Sequence, residues 1–294
     1  MKRIVFIQDF FTEDVVGGAE MSIQAHIDTC PYPYIKLHTK TFKFNQIRKD
    51  DFIVFGNYYN FPSLSLLQEF KDYNYVIEEC DYKYCRYRSS HLHRLNTLKD
   101  CDCPTTYSAP IVDFMLHAKH LFWKSEAQAW IYYTLFPELK PIPSDIMGGV
   151  FTDEQLDFIL SLKDIPQDNC YFVLKTKRWI KGYRESVAYC VKNNIHYRTV
   201  EDLPYKESLM AMAKSRGIVY MPAGYDVSCR MITEMKLLGR DIITSNKVQH
   251  MTEAWFNSGE AGMLEFLRSR NKVFWERIDG LQAGLVREYD TANR

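Results

Sequence analysis

At 294 residues the chain is long enough for one large domain or two small ones. Apolar residues make up 46% and charged residues 25%, the balance of a folded globular protein, and 20 Tyr and 18 Phe supply surface for packing or for stacking on sugars and bases. With 37 basic and 37 acidic residues the formal net charge is zero, which excludes a bulk field that draws nucleic acid or anionic lipid; any such binding has to be local.

Lys2 and Arg3 precede only a short apolar run that reads as a strand, so no signal peptide is expected. No run is long enough to span a bilayer. The eight cysteines show no disulfide framework, and a reducing cytoplasm is the expected location.

Residues 4–7, Ile-Val-Phe-Ile, read as the first strand. After a loop, Gly17-Gly18-Ala19-Glu20 opens a helix, and the glycines let backbone approach a ligand closely at a strand-to-helix turn. Strands are predicted at 34–38, 51–56 and 75–78, with a short helix at 62–70. The alternation argues for a doubly wound parallel sheet, in which active residues cluster beyond the carboxyl ends of the strands.

At such an end stands Glu78-Glu79-Cys80-Asp81, followed by a stretch read as a loop. Between Tyr82 and Lys99 it holds the bases Lys83, Arg86, Arg88, Arg94 and Lys99, no acid, and the interleaved tyrosines Tyr82, Tyr84 and Tyr87. Such a stretch is either a solvated loop whose aromatics pack on the domain or an acceptor surface, with Tyr82, Arg86 and Arg88 as contacts, for a phosphate-bearing or nucleic-acid substrate. Cys80, Cys85, Cys101 and Cys103, with His91 and His93, invite a zinc reading. Their spacings miss the common paired pattern of structural zinc sites, so no metal is expected. Asp100-Cys101-Asp102 fits an Asp-x-Asp metal motif, which is too short to outweigh the strand–loop–helix features of residues 217–245.

A strand at 118–123 and an apolar helix at 127–136 lead to Pro137, Pro141 and Pro143, and Ser144 to Gly149 marks a change of domain. A helix at 153–162 and a strand at 171–174 run into the basic loop Lys175-Thr-Lys-Arg-Trp-Ile-Lys181-Gly182. A strand at 195–200 and a helix at 204–214 follow. Residues 218–221 form a buried strand, ended by Pro222, Ala223 and Gly224. Ser228 is an N-cap candidate for a helix carrying Met231, Ile232, Met235 and Leu238 at helical spacing; Gly239 stops it and Ile242-Ile243 opens the next strand. The turn leaves backbone N–H groups free at the helix start, a place suited to a diphosphate. Asp226 sits in the loop and Glu234 about two turns into the helix, so they can share a face. The deeper carboxylate can then accept both hydroxyls of a ribose. Residues 261–285 read as helical.

Three of these features together resemble the retaining glycosyltransferases of the two-domain GT-B fold, similar to glycosyltransferase family 4, over most of the chain. Gly-Gly-Ala-Glu matches their amino-terminal loop, Lys181-Gly182 their basic loop, and Asp226-x7-Glu234 their Glu-x7-Glu signature, with Asp in place of the first Glu and Val227-Ser228-Cys229 in place of a glycine-rich stretch. The resemblance implies two Rossmann-like domains with parallel sheets facing across a cleft. An acceptor-side domain is expected over 1–148, a donor domain over 149–260, and helices packing back on both over 261–294.

By resemblance Glu234 holds the nucleotide ribose, Asp226 contacts the donor sugar, and the amides of Val227, Ser228, Cys229 and Arg230 meet the diphosphate. Gly17 and Gly18 face the donor phosphates, and Lys181, with Lys175 or Lys177, neutralises them. The family's arginine position falls on Thr176. A His-Asp pair of the family falls on Cys80-Asp81, so Asp81 alone carries over. The implied reaction moves a sugar from a UDP- or GDP-sugar to a hydroxyl with retention and no obligatory cofactor or metal. The acceptor is a glycan of the saccharide or cell-envelope kind or, alternatively, hydroxymethylated DNA as in compact bacteriophage enzymes. A non-catalytic nucleotide-binding module of Rossmann type is the other reading.

Overall fold

The computed structural model describes residues 3–201 and 203–284. The last part of the expected C-terminal helical stretch, 285–294, lies outside the described residues, as does Lys2.

Two parallel sheets organise the chain. The first contains β1 (Ile4–Gln8), β2 (Tyr34–His38), β3 (Phe52–Phe55), β4 (Asn74–Glu79), β5 (His120–Trp123) and β6 (Ser144–Ile146), in the order β2-β1-β3-β4-β5-β6. The second contains β7 (Tyr171–Leu174), β8 (Tyr197–Val200), β9 (Gly217–Tyr220) and β10 (Asp241–Thr244), in the order β10-β9-β7-β8. Every pairing in both sheets is parallel. Central strands such as β1 and β3 are buried along their whole length, because helices cover both faces and every side chain needs an apolar neighbour.

The helices of the first lobe are α1 (Gly18–Asp28), α2 (Ser90–Thr97), α3 (Cys103–Thr106), α4 (Ala109–Leu116) and α5 (Glu126–Leu135). Those that follow are α6 (Asp153–Ser161), α7 (Tyr183–Lys192), α8 (Tyr205–Lys214), α9 (Arg230–Leu237), α10 (Ala254–Asn257) and α11 (Gly259–Ala283).

Three segments depart from the sequence reading. Ser144 to Ile146, taken as part of a domain change, is a sixth strand paired with β5 from Leu121↔Ser144 to Trp123↔Ile146. It is a short polar edge strand, so it lacks the apolar run that betrays a central one. The stretch 82–99, read as loop, contains α2, whose start is capped by Ser89 Oγ accepting from the Leu92 N–H at 3.2 Å. The helix at 62–70 is a 3-10 helix over Leu64–Asp72.

The chain passes from the first lobe to the second at residues 147–151: Met147 and Val150 pack with Ile4 and Phe6, while Phe151 packs with Leu156 and Ile232. It returns within α11. Met263 and Leu267 of that helix belong to the second core, and Phe274, Trp275 and Ile278 pack against Phe6 and Phe122 of the first. Arg277 fixes its far end by pairing with Asp145 at 2.8 Å.

Candidate active site

Strand order decides where the cleft lies. In the first sheet the order turns back between β1 and β3, and in the second between β7 and β9. Loops leaving two such strands diverge to opposite faces and open a crevice at the carboxyl ends. β7 and β9 pair only at Tyr171↔Gly217 and Phe172↔Ile218, so their ends splay. The two crevices share one cavity of about 440 Å³. Asp9 and Asn57, just beyond β1 and β3, line one side; Arg178, Lys181, Asp226, Val227 and Ser228, beyond β7 and β9, line the other.

The second-lobe wall is built by two interlocked loops. Gly182 takes φ +59°, and a Cβ there would stand 1.7 Å from the Met221 carbonyl oxygen. Glycine alone lets the basic loop lie against the end of β9. Gly224 similarly leaves room for the Trp179 ring, which a Cβ would meet at 2.8 Å. This contact aims Lys181 inward. Its Nζ donates to Asp226 Oδ2 at 2.9 Å, and Tyr220 Oη donates to the same oxygen at 2.5 Å. Burial opposes charge on both partners, yet each stabilises the other: Asp226 is held below the ordinary carboxylate value by Lys181 and Tyr220, and Lys181 is raised by Asp226.

Arg178 stands near enough to lower Lys181 slightly. Among the described residues it makes no ion pair. Its guanidinium fills the space beside Gly17, where a Cβ would come within 2.7 Å of Nη1 and 2.2 Å of Glu20 Oε2. Arg178 thus reaches from the other lobe to the start of α1, where it and Glu20 close over Gly17.

The first-lobe wall is a buried ionic network at the ends of β4 and β5. Glu78 pairs with Lys124 and with His26 Nε2 at 3.3 Å; burial works against its charge, but these partners hold it down to about 2. Lys83 bridges Glu79 at 3.0 Å and Asp81 at 3.2 Å. Arg88 also pairs with Asp81, and the two cations keep Asp81 ionised despite burial. Glu79, with fewer compensating partners, is pushed up by burial. Asp81, Tyr82, Arg88 and Lys124 present this network to the cavity.

Of the residues singled out in the sequence, Gly18, Asp81, Tyr82, Arg88, Lys181, Asp226, Val227 and Ser228 line this cavity. Gly17, Arg86, Lys175, Lys177, Cys229, Arg230 and Glu234 are not among its lining residues. Lys175 pairs with Glu201, and Lys177 is exposed. Glu234 is buried, accepts from Tyr205 Oη at 2.8 Å, and faces Arg230 Nε at 3.5 Å; burial raises its pKa against these partners. Arg230 lies 3.8 Å over the Phe151 ring and donates to the Val150 carbonyl, tying α9 to the crossover. Tyr82 donates to Gln249 Oε1 at 2.7 Å across the lobes, so its hydroxyl already has a partner. Asp100 and Asp102 are exposed and lie away from the cavity lining.

Sequence reasoning missed Arg178, Glu20 and Lys124 as lining residues. Arg178 was in plain view, four residues before Gly182. Counting back along a family pattern pointed to Thr176, whereas the 3-10 turn Trp179–Lys181 sets which side chains of the loop face inward.

No family model matches the sequence, and no curated protein matches it. Among solved structures, that of Anabaena Alr3699/HepE in complex with UDP and glucose aligns over 84% of this chain and 81% of its own, with a TM-score of 0.52 and 12% identity. Phytolacca americana UGT2, complexed with UDP-2-fluoro-glucose and pterostilbene, aligns over 99% of each chain with a TM-score of 0.33 and 10% identity. With its two parallel α/β sheets meeting at one cleft, the chain has the GT-B fold.

Proposed function

We propose that the chain is a glycosyltransferase that moves a sugar from a nucleotide-sugar donor to a hydroxyl acceptor. The observation that carries this reading is the convergence of Arg178, Lys181 and the loop residues Asp226, Val227 and Ser228 that precede α9, at the switch point of the second sheet, opposite Asp81 across one cavity. Cations and free amides there suit a diphosphate, and they stabilise it most as its negative charge grows on leaving. UDP is the first nucleotide to test, because the Anabaena structure with the shared fold holds UDP and glucose.

In the reaction the acceptor oxygen bonds to the anomeric carbon as the bond from that carbon to the phosphate oxygen breaks. The leaving diphosphate takes the acceptor's proton. Retention follows when attack and departure share one face, and no separate base is then required. Asp226 meets the sugar from the second lobe, and Asp81 lies on the acceptor side. Lys181 and Arg178 supply the positive charge, so no divalent metal is assigned to the chemistry. For Glu234 to hold a ribose, Tyr205 and Arg230 would have to turn away from it.

A glycan acceptor is favoured over modified DNA by the fate of the basic stretch. Lys83 is buried between Glu79 and Asp81, and Arg88 is paired with Asp81, which leaves Arg86, Arg94 and Lys99 exposed. Tyr82 and Tyr84 are buried in the first-lobe core. Too few free cations remain to follow a phosphate backbone.

The test is calorimetric titration with UDP and GDP, followed by incubation with UDP- and GDP-sugars. Binding together with slow release of nucleoside diphosphate in the absence of acceptor is expected. Nucleotide binding with no turnover on any donor would leave a non-catalytic module; no nucleotide binding would reject the donor site itself.

A further inference from the structure

Behind the first-lobe wall, four metal-ligating side chains converge on one point outside the cavity. Cys85 lies in the turn after β4, His93 in α2, Cys101 in the connection to α3, and Cys103 opens α3. Their ligand atoms all lie within 4.8 Å of one another. His93 Nδ1 is 3.8 Å from Cys85 Sγ and 3.3 Å from Cys103 Sγ. Zn–S bonds of about 2.3 Å and Zn–N bonds of about 2.0–2.1 Å place tetrahedral ligand atoms roughly 3.5–3.8 Å apart, so little movement is needed to close on an ion.

The surroundings match a metal centre more closely than a packed core. Cys85 and Cys103 are fully buried and Cys101 half-buried. The outer nitrogen of His93, Nε2, faces Asp102 Oδ1 at 3.6 Å, the kind of carboxylate partner that fixes the tautomer of a metal-bound imidazole. The Tyr87 N–H points at Cys85 Sγ at 3.5 Å, and the positive charge of Arg86 lies beside Cys103. Three thiolates around a dication leave one negative charge, which these groups meet. A buried cysteine can pack as a small hydrophobe, but packing gives no reason for three thiols to share one point with an imidazole.

We propose that Cys85, His93, Cys101 and Cys103 hold a structural zinc ion in a closed Cys3His site. Three sulfurs and one nitrogen are a soft tetrahedral set that selects zinc over magnesium or calcium. The protein fills all four positions, so the ion has no open place for substrate and its role is to hold the chain. The held segment joins β4 to α4, and its first turn carries Asp81, Tyr82 and Arg88 into the cavity. The ligand spacing, Cys-x7-His-x7-Cys-x-Cys, escapes the paired pattern because the ligands come from a turn, a helix and the start of a second helix.

The test needs no activity. The full chain, purified under reducing conditions, should contain one zinc by elemental analysis. Exchange for cobalt should give the visible bands of tetrahedral cobalt and a thiolate charge-transfer band. Cys101→Ser and Cys103→Ser should each lose the zinc, while Cys80→Ser and Cys190→Ser keep it. If the ligand variants fail to fold, the cobalt spectrum of the unaltered chain still decides. Protein refolded with zinc that binds neither zinc nor cobalt, or native protein with iron instead or a disulfide among these cysteines, would overturn the assignment.

Discussion

Lys181 and Arg178 share a loop but play separable parts. Lys181 is tied to buried Asp226, so Lys181→Ala both removes charge from the cavity and strands a carboxylate. It should lower kcat by about 10²–10³-fold, the scale of losing one donor to a developing anion. It should also lower the denaturant midpoint. Arg178 is exposed and makes no ion pair among the described residues, so Arg178→Ala should weaken nucleotide binding in calorimetry while leaving that midpoint unchanged. Glu234→Gln separates two roles of one carboxylate. Its partners Tyr205 and Arg230 predict a loss of stability with nucleotide affinity nearly intact; a large loss of affinity instead would assign Glu234 the ribose role. At this scale the sequence named Lys181 and Asp226 through their setting, a lysine before a required glycine and an acid beyond a buried strand. It could not say which way Glu234 points, because a helix face is assigned only once its neighbours α8 and the 147–151 crossover are in place.

At the scale of elements, the lock between the loops after β7 and β9 hangs on Gly182. Alanine there meets both a left-handed backbone and the Met221 carbonyl. Gly182→Ala should cost about 1–3 kcal/mol from backbone strain, with the collision added. It should also raise the KM for donor, since Lys181 is the adjoining residue; calorimetric melting and steady-state kinetics check the two effects. Most strands were legible as short apolar runs, since a parallel strand covered on both faces has to be apolar throughout. β6 was not, being a polar edge. The helices α2 and α3 were hidden for another reason: their order rests on Ser89 capping and on contacts among cysteines and His93 distant in sequence, which no local period records.

For the molecule as a whole, pH should act through the contact between lobes. Glu253 of the second lobe accepts the Glu126 N–H at the start of α5 at 2.8 Å and also bonds Trp255. Burial pushes this carboxyl from 4.5 up to about 7, against the opposing pull of those donors. The folded state therefore holds the proton more tightly than the unfolded chain. The stabilisation is full below about 4.5 and is lost as pH rises through about 7. Denaturation midpoints should fall across that window, and Glu253→Gln should flatten the fall. Brief treatment with EDTA should leave turnover intact while bound zinc is retained. Loss restored by magnesium or manganese, at constant zinc content, would reject the metal-free chemistry.

The return of α11 has a mechanical consequence. The backbone joins the lobes twice, at 147–151 and between Leu267 and Phe274. Two pivots define an axis, as two hinges do on a door, and they forbid the swivel that a single tether permits. Opening of the cleft is thereby reduced to one angle. Spin labels at exposed Val16, next to the cavity-lining Val15, and at Tyr225 across the cavity should change separation when UDP binds, while a pair at exposed Glu154 and Lys272, near the pivots, should stay fixed. Equal changes in both pairs would show that the lobes are not hinged in this way.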